Sequence, residues 1–254
     1  MSFPWELYDL RKDWTQSENV AAQYPAKLKE MQDMFWREAQ KYQVLPLDAT
    51  VATRLVTPRP SISAGRDVFS WTAPLTGTPN GGAPSILNAS YTFKAEVEIP
   101  QGGAEGVLVC CGGISGGFSL FIKDGRLHWE HNYYNEVHYR AASTDTIPPG
   151  HHVLSAEVKV DKQGKFGTGG TVTLRLDKNK IGEGRFEQQV AGYFTVNETF
   201  DVGCDTVSPV SDLYQSPFAF TGTILRVMVD ITEASFEDLA AHHEMRARLA
   251  MATQ

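Results

Sequence analysis

The sequence predicts a mainly β protein, an antiparallel sandwich of the jelly-roll type with an α-helix toward each end. Three observations carry that expectation. From about Asp67 to Asp230, short segments alternate apolar and polar residues with a period of two, separated by glycine-containing turns. On either side the apolar spacing lengthens to three and four residues, the period of an amphipathic helix. Between the strand-like segments nothing reads as a crossover helix, which a parallel α/β sheet would require.

Taken in order, Trp5 to Leu10 reads as extended chain. From Tyr24-Pro25 to Tyr42, Leu28, Met31, Phe35 and Ala39 recur on one helical face, and Pro25 suits a first turn. Val44-Leu45-Pro46-Leu47 ends this helix and leads into a proline-containing stretch through Pro58 and Pro60. Residues 1–60 are therefore expected to pack an extended segment and an amphipathic helix on the sandwich, with homodimerisation as the other way to cover the apolar face around Leu28, Met31 and Phe35. Residues 61–231 should form the sandwich. Its clearest strand places Tyr91, Phe93, Ala95, Val97 and Ile99 on one face and Lys94, Glu96 and Glu98 on the other. Further strands are expected over 106–111, 118–123, 127–134, 137–142, 153–160, 171–176 and 223–230. Residues 232–254 read as a C-terminal helix, with Thr232 as N-cap, Glu233, Glu237 and Asp238 near its positive end, and Arg246 and Arg248 toward its negative end.

One hairpin can be read residue by residue. A two-residue Asp124-Gly125 loop favours a type I′ turn, which fixes the register. Lys123 then faces Arg126, and the pairs continue as Ile122 with Leu127, Phe121 with His128, Leu120 with Trp129, Ser119 with Glu130 and Phe118 with His131. One face collects Phe118, Leu120, Ile122, Leu127 and Trp129, which must be core. The other collects Ser119, Phe121, His128, Glu130, Asn132 and Tyr134. With Val137 and Tyr139 turned inward on the next strand, His138 and Arg140 join this second face. Its mixture of aromatic and ionisable groups makes Phe121, His128, Glu130, Asn132, Tyr134, His138 and Arg140 the candidate ligand-binding residues.

Composition narrows the classes of function. With 23 basic and 30 acidic residues among 254, the net charge is −7, which argues against a nucleic-acid partner. No apolar run approaches the roughly 20 residues needed to cross a bilayer, and no membrane partner is expected. The first residues lack a basic and apolar leader, so a cytoplasmic location with reduced cysteines is expected for Cys110, Cys111 and Cys204. Asn88-Ala89-Ser90 and Asn197-Glu198-Thr199 match the glycosylation pattern but carry little weight in that setting.

Phosphate-loop, nucleophile-elbow and zincin motifs are absent. The glycines of the 111–117 stretch read as a hairpin connection, since no helix is expected after them to complete an anion site. Adjacent histidines on a strand point to opposite faces and on a helix diverge by about 100°, so neither His151-His152 nor His242-His243 is a natural chelate. Asp201, Asp205 and Asp212 offer hard oxygens suited to a structural calcium ion, with Asx-type turn bonding as the alternative. No other cofactor is expected. Glu96, Glu98 and Glu157 include no pair whose spacing fixes a glycosidase geometry.

Several segments resemble the closing region of bacterial arylsulfatases: Trp5 to Asp13, Glu18 to Ala21, the helix around Lys27 to Glu30, and Tyr42 to Asp48. The resemblance continues through Gly103 to Leu108, Phe118 to Leu120, Lys123-Asp124-Gly125, Gly169 to Val172, Phe200 to Gly203, Pro209 to Asp212 and Pro217 to Ile224. It implies a lectin-like jelly roll, of concanavalin or laminin-G type, that follows a sulfatase catalytic domain. That family carries a formylglycine made within a Cys/Ser-x-Pro-x-Arg motif beside a divalent metal held by Asp and Asn. None of the three cysteines begins such a motif here, and Ser2-Phe3-Pro4-Trp5-Glu6 has Glu where Arg is required. The catalytic domain expected before Trp5 is missing, so sulfate-ester hydrolysis by this chain alone is not expected.

Three readings follow. The chain is a ligand-binding or assembly module, with a small molecule or glycan as ligand. Alternatively it is a stand-alone enzyme in which Glu130 or His128 acts as base and Arg140 stabilises an anion. In the third it is the accessory half of a split sulfatase, paired with a separate catalytic subunit.

Overall fold

The structure, a computed structural model, describes residues 4–47, 63, 65–162, 167–195 and 197–231. The chain divides into two compact units, Met1–Val51 and Ala52–Gln254. The helix expected over 232–254, with His242 and His243, lies outside the described residues.

In the first unit α1 spans Pro25–Lys41, with proline in the first turn as its fixed φ predicts. Ahead of it the chain is irregular, and Val20 donates its N–H to the Leu7 carbonyl at 2.8 Å. Trp5 meets Phe35 edge-on at 5.3 Å, and Trp36 lies beside both rings. Leu28 and Phe35 are half-buried, whereas Met31 is exposed.

The second unit is the antiparallel two-sheet sandwich that the period-two pattern predicts, of jelly-roll class. Its strands are β1 (Val68–Trp71), β2 (Leu75–Pro79), β3 (Tyr91–Ile99), β4 (Gly106–Gly113), β5 (Gly116–Lys123) and β6 (Arg126–Tyr133), then β7 (Val137–Ala142), β8 (Gly150–Val160), β9 (Gly170–Leu176), β10 (Asn179–Phe186), β11 (Thr199–Val202) and β12 (Thr223–Asp230). The first sheet runs β1-β12-β3-β8-β9-β10 and the second β2-β11-β4-β5-β6-β7. The alternation of β3 translates directly into burial: Tyr91, Phe93, Ala95, Val97 and Ile99 face the core and Lys94 and Glu98 face outward.

The Asp-Gly hairpin has the expected geometry. Asp124 and Gly125 both hold positive φ, 51° and 70°, and β5 pairs with β6 in the register read from the turn, from Lys123 opposite Arg126 to Phe118 opposite His131. Phe118, Leu120, Ile122, Leu127 and Trp129 accordingly enter the main core, where Phe118 stacks on Phe93 at 5.0 Å. Tyr139 also packs against that core, but Val137, expected inward, is 39% exposed at the start of β7.

The glycines of the 111–117 stretch do form a hairpin, with Gly113 paired to Gly116 across Ile114 and Ser115. The strands touch so closely that a Cβ on Gly112, whose φ is +101°, would lie 2.1 Å from the Gly116 carbonyl oxygen. Strand β10 was not expected. Its sequence includes Gly182 and Gly184, whose added Cβ atoms would strike the Ala142 carbonyl and Ala141 of β7 at 2.4 and 2.7 Å. Residues needed for close approach there replace the apolar alternation that announces a strand. The short β1 and β2 likewise have too little alternation to be read, and Leu75 of β2 is exposed.

Gly112→Ala is expected to lower the unfolding free energy by about 2 kcal/mol or more, because it combines left-handed backbone strain with a backbone clash. Gly102→Ala, with open space around it, should stay within about 0.5 kcal/mol of the parent. Urea unfolding midpoints of the pair test this, and equal midpoints would contradict the close-approach account.

Candidate functional site

The outer face of β5, β6 and β7 carries the residues expected there, but it is not open. Residues 203–222 lie across it as a strap. Gly203 donates to the Leu108 carbonyl at 3.0 Å, Val107 to Phe218 at 3.2 Å, and Thr221 to Glu105 at 2.8 Å. Beneath the strap a second, smaller core forms from Val107, Cys110, Phe121, Val210 and Tyr214, with Phe218 against it. Phe121 is sandwiched, stacked on His128 at 5.0 Å and edge-on to Tyr214 at 5.0 Å. As a buried packing residue it presents no ligand surface.

Glu130 sits at the centre with 0% exposure. The register puts Arg140 opposite it, and His138 opposite Asn132, on β7. His138 Nδ1 lies 2.5 Å from its Oε1, Arg140 Nε donates to Oε2 at 2.9 Å, and the Ser211 hydroxyl donates to Oε2 at 2.5 Å. Arg140 also pairs with Asp212 on the strap. Burial works against the guanidinium charge, but hydrogen bonding and attraction from Glu130, then Asp212, outweigh it and hold its pKa above the ordinary value. Arg140 Nη2 adds a fourth contact, to Oε1 at 3.4 Å, so the roughly four lone-pair sites of this buried carboxylate are taken up in a structural ion pair and not free to abstract a substrate proton.

Asn132, also buried, acts as a clamp. Its amide donates to the carbonyls of Gly113, Ile114 and Val210 at 3.0, 3.2 and 3.0 Å, while its oxygen accepts the Asn135 N–H at 2.8 Å. This joins two turns to the strap. Tyr134 sits in the β6–β7 turn with φ 52° and its ring against Tyr133. Half-buried His128 lies with Nε2 3.3 Å from the Lys123 carbonyl, and burial, first among several influences, pulls its pKa down. Of the seven candidate ligand residues, the structure therefore brings Phe121, His128, Glu130, Asn132, His138 and Arg140 together on one face; Phe121, Glu130, Asn132 and Arg140 hold the strap, while His138 supports Glu130 and His128 stacks on Phe121.

The three aspartates do not converge. Asp201 accepts the Gly77 N–H at 2.8 Å and the hydroxyls of Thr199 and Thr206 at 2.9 and 2.6 Å. Asp205 accepts from Val210 N–H at 3.0 Å, Tyr214 at 2.6 Å and Ser216 at 3.3 Å, while Asp212 goes to Arg140. Asp205 bonds within its own loop, in keeping with the turn-bonding alternative, whereas Asp201 lies in β11 and reaches Gly77 of β2, and Asp212 makes an ion pair. Burial pushes the Asp205 carboxyl above the usual range despite its donors. Among the described residues one group of potential metal ligands does converge, Glu130, His138 and Asp212. Arg140 bridges its two carboxylates and already supplies the positive charge, so the donor set does not fit a cation.

The cysteines are free. Burial raises the Cys111 thiol to about 12 and pushes Cys110 well above its ordinary value, so neither is a ready nucleophile. His151 and His152 diverge as expected, toward Glu96 at 3.0 Å and Asp177 at 3.2 Å. Asn88 of the first glycosylation pattern is buried, its amide bonded to the Ala191 carbonyl at 2.8 Å, whereas Asn197 is exposed.

An open surface lies on the other sheet. On its outer face a depression of about 460 Å³ runs over Thr92, Lys94, Val153, Ser155, Arg175 and Lys178, beside Glu157 and Asp177. A second, of about 190 Å³, shares Lys94 and Val153 and extends to Arg226 and Met228. The cause is side-chain length: Lys94, Ser155 and Arg175 are opposite one another on β3, β8 and β9, so a short residue lies between two long ones. The residues of this trough were not identified from the sequence.

Sequence reasoning also missed the strap and His131. Tyr214, Phe218 and Val210 in a loop were the available signal, since apolar residues clustered in a connection need a surface to cover. His131 lies in the main core, where its Nε2 accepts the Val190 N–H at 3.1 Å and burial depresses its pKa to about 3.

No family model matches the sequence, and no curated protein does. Solved structures similar in fold include a native heptameric SAP-like pentraxin from Limulus polyphemus, at 12% identity and a TM-score of 0.36, covering 72% of this chain and 77% of that one. Domains LG4-5 of the mouse laminin alpha1 chain match at 11% identity and 0.38, covering 61% and 40%. The receptor binding domain of botulinum neurotoxin type G matches at 11% and 0.35, covering 72% and 44%. The chain thus spans less than half of the laminin and neurotoxin chains. Among the described residues no helix is long and apolar enough to cross a membrane.

Two outcomes are expected. Glu130→Ala should cost about 3 kcal/mol, the lower end for breaking a buried pair because Arg140 is partly hydrated, and should speed protease nicking within 203–222. Unchanged nicking would separate the ion pair from the strap. For His131, the unfolded chain takes up a proton below about pH 6.5 and the folded chain refuses it until about 3, so its contribution to stability is lost as pH falls through that window, at up to about 1.4 kcal/mol per pH unit. Asp205, with its raised pKa, slopes the other way above 3.8. Urea midpoints from pH 7 to 4 should consequently fall less for His131→Gln than for the parent, and parallel curves would refute the assignment.

Proposed function

We propose that this chain is a non-catalytic ligand-binding module whose ligand surface is the outer face of the first sheet, and that it corresponds to the closing region of an arylsulfatase-like protein. The observation that carries this reading is the enclosure of Glu130. Of the acid/base face implied by His128, Glu130 and Arg140, the central carboxylate is fully buried and held by His138, Arg140 and Ser211, so Glu130 offers no exposed oxygen to act as a base. The trough on the other sheet is open and lined by groups of both charges. Its volume falls within the usual range for small-ligand sites, about 300–1,000 Å³. Sulfate-ester hydrolysis has no support in the chain, because Cys110, Cys111 and Cys204 lack the Pro and Arg of the formylglycine motif.

A second reading, assembly through the first unit with a second copy or a sulfatase catalytic subunit, is favoured by its apolar exposure. Trp14 is 82% exposed, and Trp5, Met31, Met34 and Trp36 are exposed as well.

Screening the protein against neutral and acidic glycans should give saturable binding that Ser155→Leu, which fills the trough, abolishes. Binding insensitive to that substitution, or no binding at all, would remove the ligand-surface assignment. Light scattering over a dilution series reports the assembly reading separately, as a mass above that of one chain.

A further inference from the structure

We infer that the trough on the first sheet binds an acidic saccharide, with a sulfate or carboxylate group seated over Ser155 between Lys94 and Arg175. The inference rests on the outer face of that sheet being the ligand surface and adds the chemical class of the ligand.

The first observation is unspent positive charge. Lys94, Lys178 and Arg226 are exposed, line the two joined depressions, and have no carboxylate partner among the described residues. Arg175 is only loosely held, 3.6 Å from Glu157, which has a shorter bond to Lys159 at 2.9 Å. Lys94, Arg175 and Lys178 line the larger depression and Lys94 and Arg226 the smaller; against Glu157, Asp177 and Glu96 on the same linings, four cations to three carboxylates leave a local excess of one positive charge in a chain of net charge −7.

The second observation is a polar group that lacks a partner. Ser155 is 7% exposed on the trough floor, and its hydroxyl makes no hydrogen bond among the described residues. Its place in the register, opposite Lys94 on one side and Arg175 on the other, puts a neutral donor beneath an anion that the two cations would flank. Charge-assisted hydrogen bonds of this kind are the strong ones.

The remaining lining selects the rest of the ligand. Glu157 and Asp177 border the same depression, and Asp177 is kept ionised by the Val153 N–H, with His152 and His151 adding to it. Carboxylates there accept hydroxyl donors and repel a continuous phosphate backbone. Neither depression has an aromatic residue on which a base could stack. Cations, carboxylates and hydroxyls in one trough suit a chain that carries both anionic groups and hydroxyls. Running from β12 to β9 the trough crosses four strands, about 14 Å at normal strand spacing, which accommodates a short oligosaccharide.

The test is calorimetric titration of the full chain with a sulfated hexasaccharide, its desulfated counterpart and a single-stranded oligonucleotide, repeated with the Lys94→Ala/Arg226→Ala double variant and with Ser155→Leu. The sulfated probe should bind saturably and weaken as salt rises. The desulfated probe and both variants should bind about tenfold more weakly or worse, the scale of one lost charge-assisted bond. The double variant changes only exposed side chains, so it decides the matter if Ser155→Leu fails to fold. Equal binding of sulfated and desulfated probes, lost in Ser155→Leu, would keep the ligand surface and overturn the acidic class. Sulfated-probe binding unchanged in the double variant, equal binding of the oligonucleotide, or no binding by any probe would each overturn the inference.

Discussion

The positive φ angles at Asp124 and Gly125 set the register on which the second sheet depends. A slip of one residue there would exchange the two faces of the β5–β6 hairpin, sending Glu130 and Asn132 into the main core and Phe118 and Trp129 out of it. With the register fixed, Glu130 faces away from the main core and meets Arg140 directly across β7. That placement obliges the chain to do something with a carboxylate, an amide and an aromatic ring on one outer face. The strap is the solution, because it supplies Ser211 to the carboxylate, the Val210 carbonyl to the amide and Tyr214 to the ring.

Two polar foci tie that strap down from opposite directions. At Glu130 the charge belongs to the sheet and the hydroxyl to the strap. At Asp205 the charge belongs to the strap itself and is met by its own Val210 N–H, Tyr214 and Ser216. Tyr214 joins the two regions, since its hydroxyl also lies 3.1 Å from that of Ser119, the residue paired with Glu130 on β5. Apolar burial by Phe121, Val210 and Phe218 accompanies these bonds, so neither the packing nor the hydrogen bonding of this layer is complete alone.

Much of the sandwich was legible because its information is local. The helix bounded by Pro25, the alternation of β3 and the Asp-Gly turn each depend on residues within a few positions of one another, and each is found as expected. The cover over Glu130 was not legible, because Ser211 lies 81 residues away and nothing near Glu130 encodes it. His131 is the same case, an apparently ordinary core-facing residue whose acceptor role depends on Val190, 59 positions on. Strand β10 escaped for a different reason: Gly182 and Gly184 serve a contact with another sheet, which erases the pattern of their own strand. Six of the seven candidate residues do share one face, because their spacing is local, while the strap that covers it comes from far along the chain.

The close approach at those two glycines also bears on how this protein avoids sticking to itself. Strands β7 and β10 are the outermost members of their sheets, and outermost strands offer unpaired backbone groups to any passing chain. Here the two rims lean together, with the Thr144 N–H reaching the Ile181 carbonyl at 2.8 Å. Larger side chains at Gly182 and Gly184 would wedge them apart and expose hydrogen-bonding templates for aggregation. The smallest residues in the sequence thereby act as a guard against runaway polymerisation on that side of the sandwich.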